Sequence, residues 1–396
     1  MGNVVFACRR YNLKTIKIHG RSTRSSDQST TSNDSKTNTA SSADFQEWLA
    51  DPPSPDNKNN ENVNKNKKEI YLEEGELGEG GFSTVLLATR VVKDKDNKTT
   101  QSQVAIKRII CSDPDQLESA RNEIEITKKI SSPYVIQLLS HGERRSSKNK
   151  NNRIVSLVFP VYAQGTLWDY LIKVKDTPVS STGEGDEKTG KIKKLSSESK
   201  YELSSGILKG MKRIHMLNIA HCDLKTSNIL LKSDLKTPVI MDFGSATNKP
   251  LKQIDSYNQS QTLTDWAAQN CTACYRAPEL FDVNYPQEID LRSSDVWSIG
   301  CCLRALIYFQ GPLDEIWLKG DSLGLAVQSI NKYIGSFEFD EGQNDDNDQN
   351  KNENEVYKIL VEKSLLASSN QTRPSVDELL KVLESYKESG KIKDDL

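Results

Sequence analysis

Midway along this chain the residue patterning changes character, and that change limits the fold more than any other feature. Residues 70–163 alternate short β-branched and apolar runs, at 85–87, 104–110 and 154–159, with one helical stretch at 115–130. From residue 196 onward helical patterns dominate, over 198–216, 295–308, 320–333 and 376–386. A β-rich part followed by a helical part predicts an α+β fold of two lobes. The smaller, β-rich N-lobe carries one main helix, and the larger C-lobe is α-helical. Between two such lobes lies a cleft, where pockets are common, so the functional site is expected there.

Only 35% of the 396 residues are hydrophobic, too few for a chain that is folded throughout. The solvated share concentrates in residues 22–68, dominated by Ser, Thr, Asn, Asp and Lys with a cluster at Pro52, Pro53 and Pro55. Such a stretch buries too little apolar surface to offset its ordering entropy. Residues 1–69 are therefore expected to be a disordered tail, with order starting near Ile70-Tyr71-Leu72. Four polar stretches, near 93–103, 144–153, 176–197 and 340–355, read as loop insertions into one domain spanning 71–386, and 387–396 as a polar tail. Loops tolerate such additions because closure cost grows slowly with length. A net charge of −2 gives no reason to expect a nucleic-acid partner. Nor is there an apolar run long enough for a spanning helix. Seven cysteines without a paired Cys-x-x-Cys framework fit a reducing compartment rather than a zinc site; Cys271-x-x-Cys274 stands alone.

Three motifs carry chemistry. In Gly78-Glu79-Gly80-Gly81-Phe82-Ser83-Thr84-Val85 the glycines let backbone N–H groups approach phosphate oxygens. A dinucleotide-binding reading fails because a strand, not a helix, follows. Val104-Ala105-Ile106-Lys107 ends a strand in a lysine, and Glu123 on the following amphipathic helix is a plausible partner for it. The third motif is His221-Cys222-Asp223-Leu224-Lys225-Thr226-Ser227-Asn228, followed by Met241-Asp242-Phe243-Gly244. Asp223 can accept or orient a hydroxyl proton, and Lys225 can neutralise charge on a transferring phosphoryl group. Asn228 and Asp242 offer the oxygen ligands that Mg²⁺ prefers.

With these motifs in this order, residues 71–386 resemble the eukaryotic protein kinase superfamily. Ala277-Pro278-Glu279, Ser294-Asp295-Val296-Trp297-Ser298-Ile299-Gly300 and Arg373 extend the match. The resemblance implies a two-lobed kinase fold, ATP and Mg²⁺ as cofactors, and Ser or Thr side chains of proteins as acceptors. It implies nucleotide contacts by Leu77, Gly78, Glu79, Gly80, Gly81, Phe82, Ser83, Thr84, Val85, Ala105, Lys107 and Glu123. Phe159 becomes the gatekeeper, with Pro160 C=O and Tyr162 N–H as the adenine-binding hinge groups. It further implies a Glu279–Arg373 ion pair, and Asp295 as a cap on the catalytic-loop backbone. Lys225 and Thr272 resemble their counterparts in serine/threonine rather than tyrosine kinases. Thr262-Leu263-Thr264-Asp265-Trp266-Ala267-Ala268-Gln269-Asn270-Cys271-Thr272 narrows the likeness to the Numb-associated kinase family, as do Gly165-Thr166-Leu167-Trp168 and Gly320-Asp321-Ser322. In that family a helical insert precedes Ala-Pro-Glu, and Thr262 or Thr264 could cap it here.

Two departures from the superfamily stand out. Ser83 holds the third glycine position of the phosphate loop. Cys222 replaces the arginine that pairs with a phosphorylated activation segment, so activity independent of such phosphorylation is expected. A pseudokinase scaffold is the alternative to catalysis, and a small-molecule phosphotransferase is disfavoured by the Ala-Pro-Glu and Asp-Val-Trp motifs. At the N-terminus Gly2 could be myristoylated, although Phe6 sits where that motif wants Ser or Thr, and Cys8 is a candidate for palmitoylation. Six basic residues from Arg9 to Arg24 precede the first acid, Asp27. An acyl chain plus such a patch can hold a protein to an anionic membrane. The expected location is cytoplasmic, peripherally attached to an endomembrane, Golgi or vacuole-like. A cleaved transit peptide and an ordinary tail are the competing readings.

Overall fold

In the computed structural model the described residues are 68–80, 83–93, 98–147, 149, 151–175, 195–309, 311, 348–365 and 373–388. Gly2, Cys8, the basic run, Gly81, Phe82, Gly320-Asp321-Ser322 and the helix expected at 320–333 lie outside them. The N-lobe is a five-stranded antiparallel sheet, ordered β1-β2-β3-β5-β4. Its strands are β1 (Lys68–Gly80), β2 (Ser83–Lys93), β3 (Thr99–Cys111), β4 (Ser140–Arg145) and β5 (Arg153–Pro160). Helix α1 (Pro114–Lys129) packs on β3 and β5. Asp113 caps it, accepting from Gln116 N–H, and Pro114 opens its first turn, where the missing N–H costs nothing.

The C-lobe comprises α2 (Leu167–Lys175), α3 (Ser197–Met216), the hairpin of β6 (Ile229–Leu231) and β7 (Pro238–Ile240), and β8 (Leu251–Ile254). It continues through α4 (Tyr257–Asn270), β9 (Gln287–Asp290), α5 (Leu291–Tyr308), α6 (Asp348–Leu365) and α7 (Val376–Glu388). Helix α5 is apolar nearly all round, because it is surrounded: Trp297, Ile299, Cys301, Cys302 and Leu303 are fully buried. Its Gly300 permits close contact with α6, since a Cβ there would lie 2.6 Å from Ser364 Cβ. One continuous apolar cluster runs from α1 (Ile124, Ile126) through Phe159, Met241 and Phe243 to Trp297 and α7. The cleft walls are thus set by a shared core rather than by two independent ones.

The expected α+β architecture with a β-rich N-lobe and helical C-lobe is what the chain adopts. Several expected boundaries are corrected. Residues 99–103, expected in a loop, belong to β3, where Thr99, Thr100 and Gln101 pair with Lys93, Val92 and Val91. Threonine suits strands, and the β-branched partners supply the ladder despite the polar side chains. The insertion near 144–153 shrinks to the turn between β4 and β5, closed by Ser146 N–H to Asn152 O at 2.9 Å. Leu195 is buried in the core and Ser196 caps α3, so the stretch near 176–197 ends earlier than expected. Asp348–Leu365 is helical although 348–355 reads as loop, because the apolar half (Val356, Tyr357, Leu360, Leu365) anchors a helix that continues into polar sequence. Helix α7 runs two residues past the expected domain end. Strand β4 and helix α2 were not anticipated.

Candidate active site

Alternation along β3 sends Ala105 and Lys107 to one face of the sheet, toward the cleft. Ala105 and Val85 are buried together, with Leu77 and Val161 packed against them, which makes a flat apolar slot under the β1–β2 hairpin. That hairpin pairs Gly78 with Val85, Glu79 with Thr84 and Gly80 with Ser83. Pairing of Val104 with Pro160 and Ala105 with Phe159 lays the expected hinge beside the slot. Behind it a small recess of about 10 Å³ is lined by Lys107, Glu123, Thr127, Ile136, Phe159, Met241, Asp242 and Phe243. Phe159 lines this recess and pairs with Ala105 of the slot.

Lys107 Nζ donates to Glu123 Oε1 at 2.7 Å and to Asp242 Oδ1 at 2.8 Å. All three groups are drawn from separate elements: β3, α1 and the turn after β7. Burial alone would lower the ammonium's pKa, but the Asp242 and Glu123 carboxylates outweigh it and hold Lys107 charged, above its ordinary range. Burial likewise opposes ionisation of Asp242, yet Lys107 brings its pKa down to about 2. Glu123, the most enclosed of the three, is pushed upward by burial, only partly offset by Lys107. Asp242 has φ +66°, a left-handed conformation that turns its carboxylate back to the cleft.

The second group gathers around Asp223. Its Oδ2 accepts from Lys225 Nζ at 2.7 Å, and its Oδ1 accepts from Thr272 N–H at 2.9 Å and Thr272 Oγ1 at 2.6 Å. Lys225 Nζ also donates to Thr272 Oγ1, at 2.7 Å. Asn228 Nδ2 donates to Asp223 O at 2.8 Å, which leaves its amide oxygen as the group for a cation. Met241 N–H donates to Asn228 O at 2.9 Å, so Asn228 and Asp242 are held on neighbouring chains. An amide oxygen and an ionised carboxylate brought together in this way fit a hard divalent cation.

Asp295 organises the loop from beneath, accepting from His221 N–H and Cys222 N–H, each at 2.8 Å, while His215 Nε2 lies 2.9 Å from it. His221 Nδ1 accepts from Asp223 N–H at 3.3 Å, so its Nε2 carries the proton and donates to Met241 O at 3.0 Å. Glu279 meets Arg373 in a bidentate pair at 2.7 and 2.8 Å, as the sequence likeness implied. His215 was missed by sequence reasoning; nothing in its local pattern marks it, because its partner lies 80 positions away.

One expectation is corrected: neither Thr262 nor Thr264 caps the insert helix. Ser256 does, accepting from Gln259 N–H, and Thr262 lies inside α4 with its hydroxyl on Asn258 O at 2.7 Å. Cys222, the residue that replaces the expected arginine, offers no cation to the segment above it. It is buried among Ala220, Ile254, Leu263, Ala267 and Cys271, and burial pushes its thiol well up, so it is no nucleophile.

The family described as Protein kinase domain matches residues 71–383. Mouse serine/threonine-protein kinase 16 is 37% identical over 265 residues, covering 67% of this chain and 77% of the relative. The human protein of the same name is also 37% identical, over the same length and coverage. Serine/threonine-protein kinase ENV7 of Saccharomyces cerevisiae is 28% identical over 290 residues, covering 64% and 78% respectively.

Proposed function

Because this chain belongs to the protein kinase family and is a serine/threonine protein kinase, we propose that it moves the ATP γ-phosphoryl group, with Mg²⁺ as the metal, onto proteins at an intracellular membrane, in membrane trafficking. The observation that carries the catalytic part is the convergence of Lys225 and Thr272 on the Asp223 carboxylate. An acceptor hydroxyl replacing Thr272's at Asp223 Oδ1 finds a base for its proton and, within the same contact, the Lys225 cation beside the incoming phosphoryl. Lys107, kept charged by its two carboxylates, is placed to hold the α- and β-phosphates. A metal bound by Asp242 and Asn228 supplies charge neutralisation along the phosphate chain. Transfer of this kind needs positioning and electrostatics more than covalent help, which suits a site preorganised by hydrogen bonds. Since every one of these groups is present and convergent, a scaffold without catalysis is the weaker reading.

Purified full-length protein with γ-labelled ATP and a protein acceptor tests this. Asp223→Ala is expected to lower turnover by about 10²–10⁴-fold while nucleotide binding persists. An inactive wild type that binds nucleotide normally sinks the catalytic reading.

Membrane attachment rests on the N-terminal sequence: Cys8 and Gly2 as acyl acceptors followed by six basic residues without an acid. One chain alone binds weakly, and each basic residue near an anionic surface adds about 1 kcal/mol, so the two signals act together. Cys8→Ser is expected to move the protein from the membrane to the soluble fraction of lysed cells. Unchanged membrane partition of that variant, or removal of the N-terminus inside an organelle, overturns the anchor. Golgi or vacuole-like membranes are the proposed location.

A further inference from the structure

The residue directly after the metal turn is Ser245, and its hydroxyl does not face solvent alone: it donates to Asn270 O at 2.8 Å. Asn270 is the last residue of α4, and Cys271 and then Thr272 follow it. A short path therefore runs from Asp242, through Gly244 and Ser245, across one hydrogen bond to Asn270, and on to the threonine that occupies Asp223. The far side of this junction is also tied. Ala246 O accepts from Asn122 Nδ2 at 3.2 Å, and Asn122 is the neighbour of Glu123 on α1. Arg276 reinforces the same end of α4, donating to Cys271 O at 3.0 Å while lying 4.6 Å over the Phe281 ring.

The last carbonyls of a helix lack intrahelical donors and must find others. At α4 one such donor is the Ser245 hydroxyl, so the helix end and the metal turn share a bond and move together. We propose that Ser245 is a positioning residue, which fixes Thr272 and hence Asp223 relative to the metal-binding turn. Its contribution falls on the phosphoryl acceptor, because the bond ends at Asn270, two residues before Thr272. Serving this purpose requires a side-chain donor of one-carbon reach; alanine removes it with little change in volume.

This inference rests on the kinase reading, so wild-type turnover of a protein or peptide acceptor is the first measurement, and its absence condemns that reading rather than this one. Given turnover, Ser245→Ala, Thr272→Ala and the double variant are compared with direct titration of Mg-ATP and with melting temperature. Ser245→Ala is expected to lower kcat for the acceptor by about three- to tenfold, the worth of one hydrogen bond, with ATP affinity unchanged and melting temperature lowered by about a few degrees at most. In the Thr272→Ala background, which loses both hydroxyl bonds but keeps the backbone N–H bond to Asp223, the same change is expected to cost less than it does alone. Full multiplication of the two losses in the double variant, a parallel drop in ATP affinity, or undiminished kcat in Ser245→Ala overturns the proposal.

Discussion

Cys222 occupies the position next to Asp223 with φ +66°, and its surroundings explain why a neutral side chain suffices there. Ala220, Ile254, Leu263, Ala267 and Cys271 close around it, so the element that a phosphate would otherwise tether is held by apolar contact. Cys222→Arg is expected to destabilise the protein by about 3 kcal/mol, since it forces a larger, charged side chain into a packed apolar cluster where the nearby Asp295 carboxylate is already engaged by His221 and Cys222 N–H groups. Cys222→Ser, of similar volume, is expected to cost less, and urea unfolding midpoints for both variants are the check. A Cys222→Arg protein as stable as wild type removes the apolar-tether account. At this scale the sequence was highly legible. Lys107, Glu123, Asp223, Lys225, Asn228 and Asp242 each carry a residue type demanded by phosphate, metal or proton, at ordered spacing. His215 and Ser245 were not legible. A histidine and a serine have many uses, and the partners that define theirs are reached only through the fold.

Helix α4 and its flanking strands form the element that most distinguishes this site. The segment between the metal turn and Glu279 is pinned along its length, among other contacts by Thr247 to Ala220, β8 to β9, Ser260 to Val283 O, Ser245 to Asn270 O, and Thr272 to Asp223. Backbone pairing and side-chain hydrogen bonds from this chain's own groups account for these contacts. Phosphatase treatment of purified protein is therefore expected to leave acceptor turnover unchanged. A large loss, with the phosphate removed shown by mass spectrometry to lie within this segment, contradicts that expectation. The start of α4 was misread for an instructive reason. Ser256-x-x-Gln259 is a capping pair, with Asp255 N–H donating to Gln259 Oε1 at 2.8 Å, yet Thr262-x-x-Asp265 has the same form. What selects the first is the buried face, Ser260, Leu263 and Ala267, which needs the helix to begin before residue 260. Three small or mixed residues give too faint a periodicity to find without knowing what covers them.

Across the whole molecule, the division into a β-rich and a helical lobe followed from residue patterning, while the joints between distant segments did not. Arg373 and Glu279 are 94 positions apart, and only likeness to a family, not spacing, suggested their meeting. The Arg373 side chain is fully buried, donates also to Ser293 O at 3.2 Å, and lies 5.3 Å over the Trp297 ring. Glu279 takes a third bond from Ser294 Oγ at 2.8 Å. The pair thus staples the end of the activation segment to α5 and to the approach of α7. Burial would raise the Glu279 pKa, but the Arg373 bonds hold it below the ordinary range. Arg373→Met keeps most of the side-chain volume and strands the carboxylate, so a loss of about 3–5 kcal/mol is expected at neutral pH. The sign with pH follows from linkage: a depressed carboxylate stabilises above its ordinary range, about 4.3, and that benefit fades as pH falls through the folded value. Wild type loses the benefit on acidification and the variant has none to lose, so the gap between them is expected to narrow. Glu279→Gln combined with Arg373→Met is expected to recover part of the stability, because the stranded charge is gone. Chemical denaturation of the three proteins at neutral and acidic pH decides the matter, and a gap that stays constant with pH, or a double variant no better than the single, breaks the assignment of this pair as the staple.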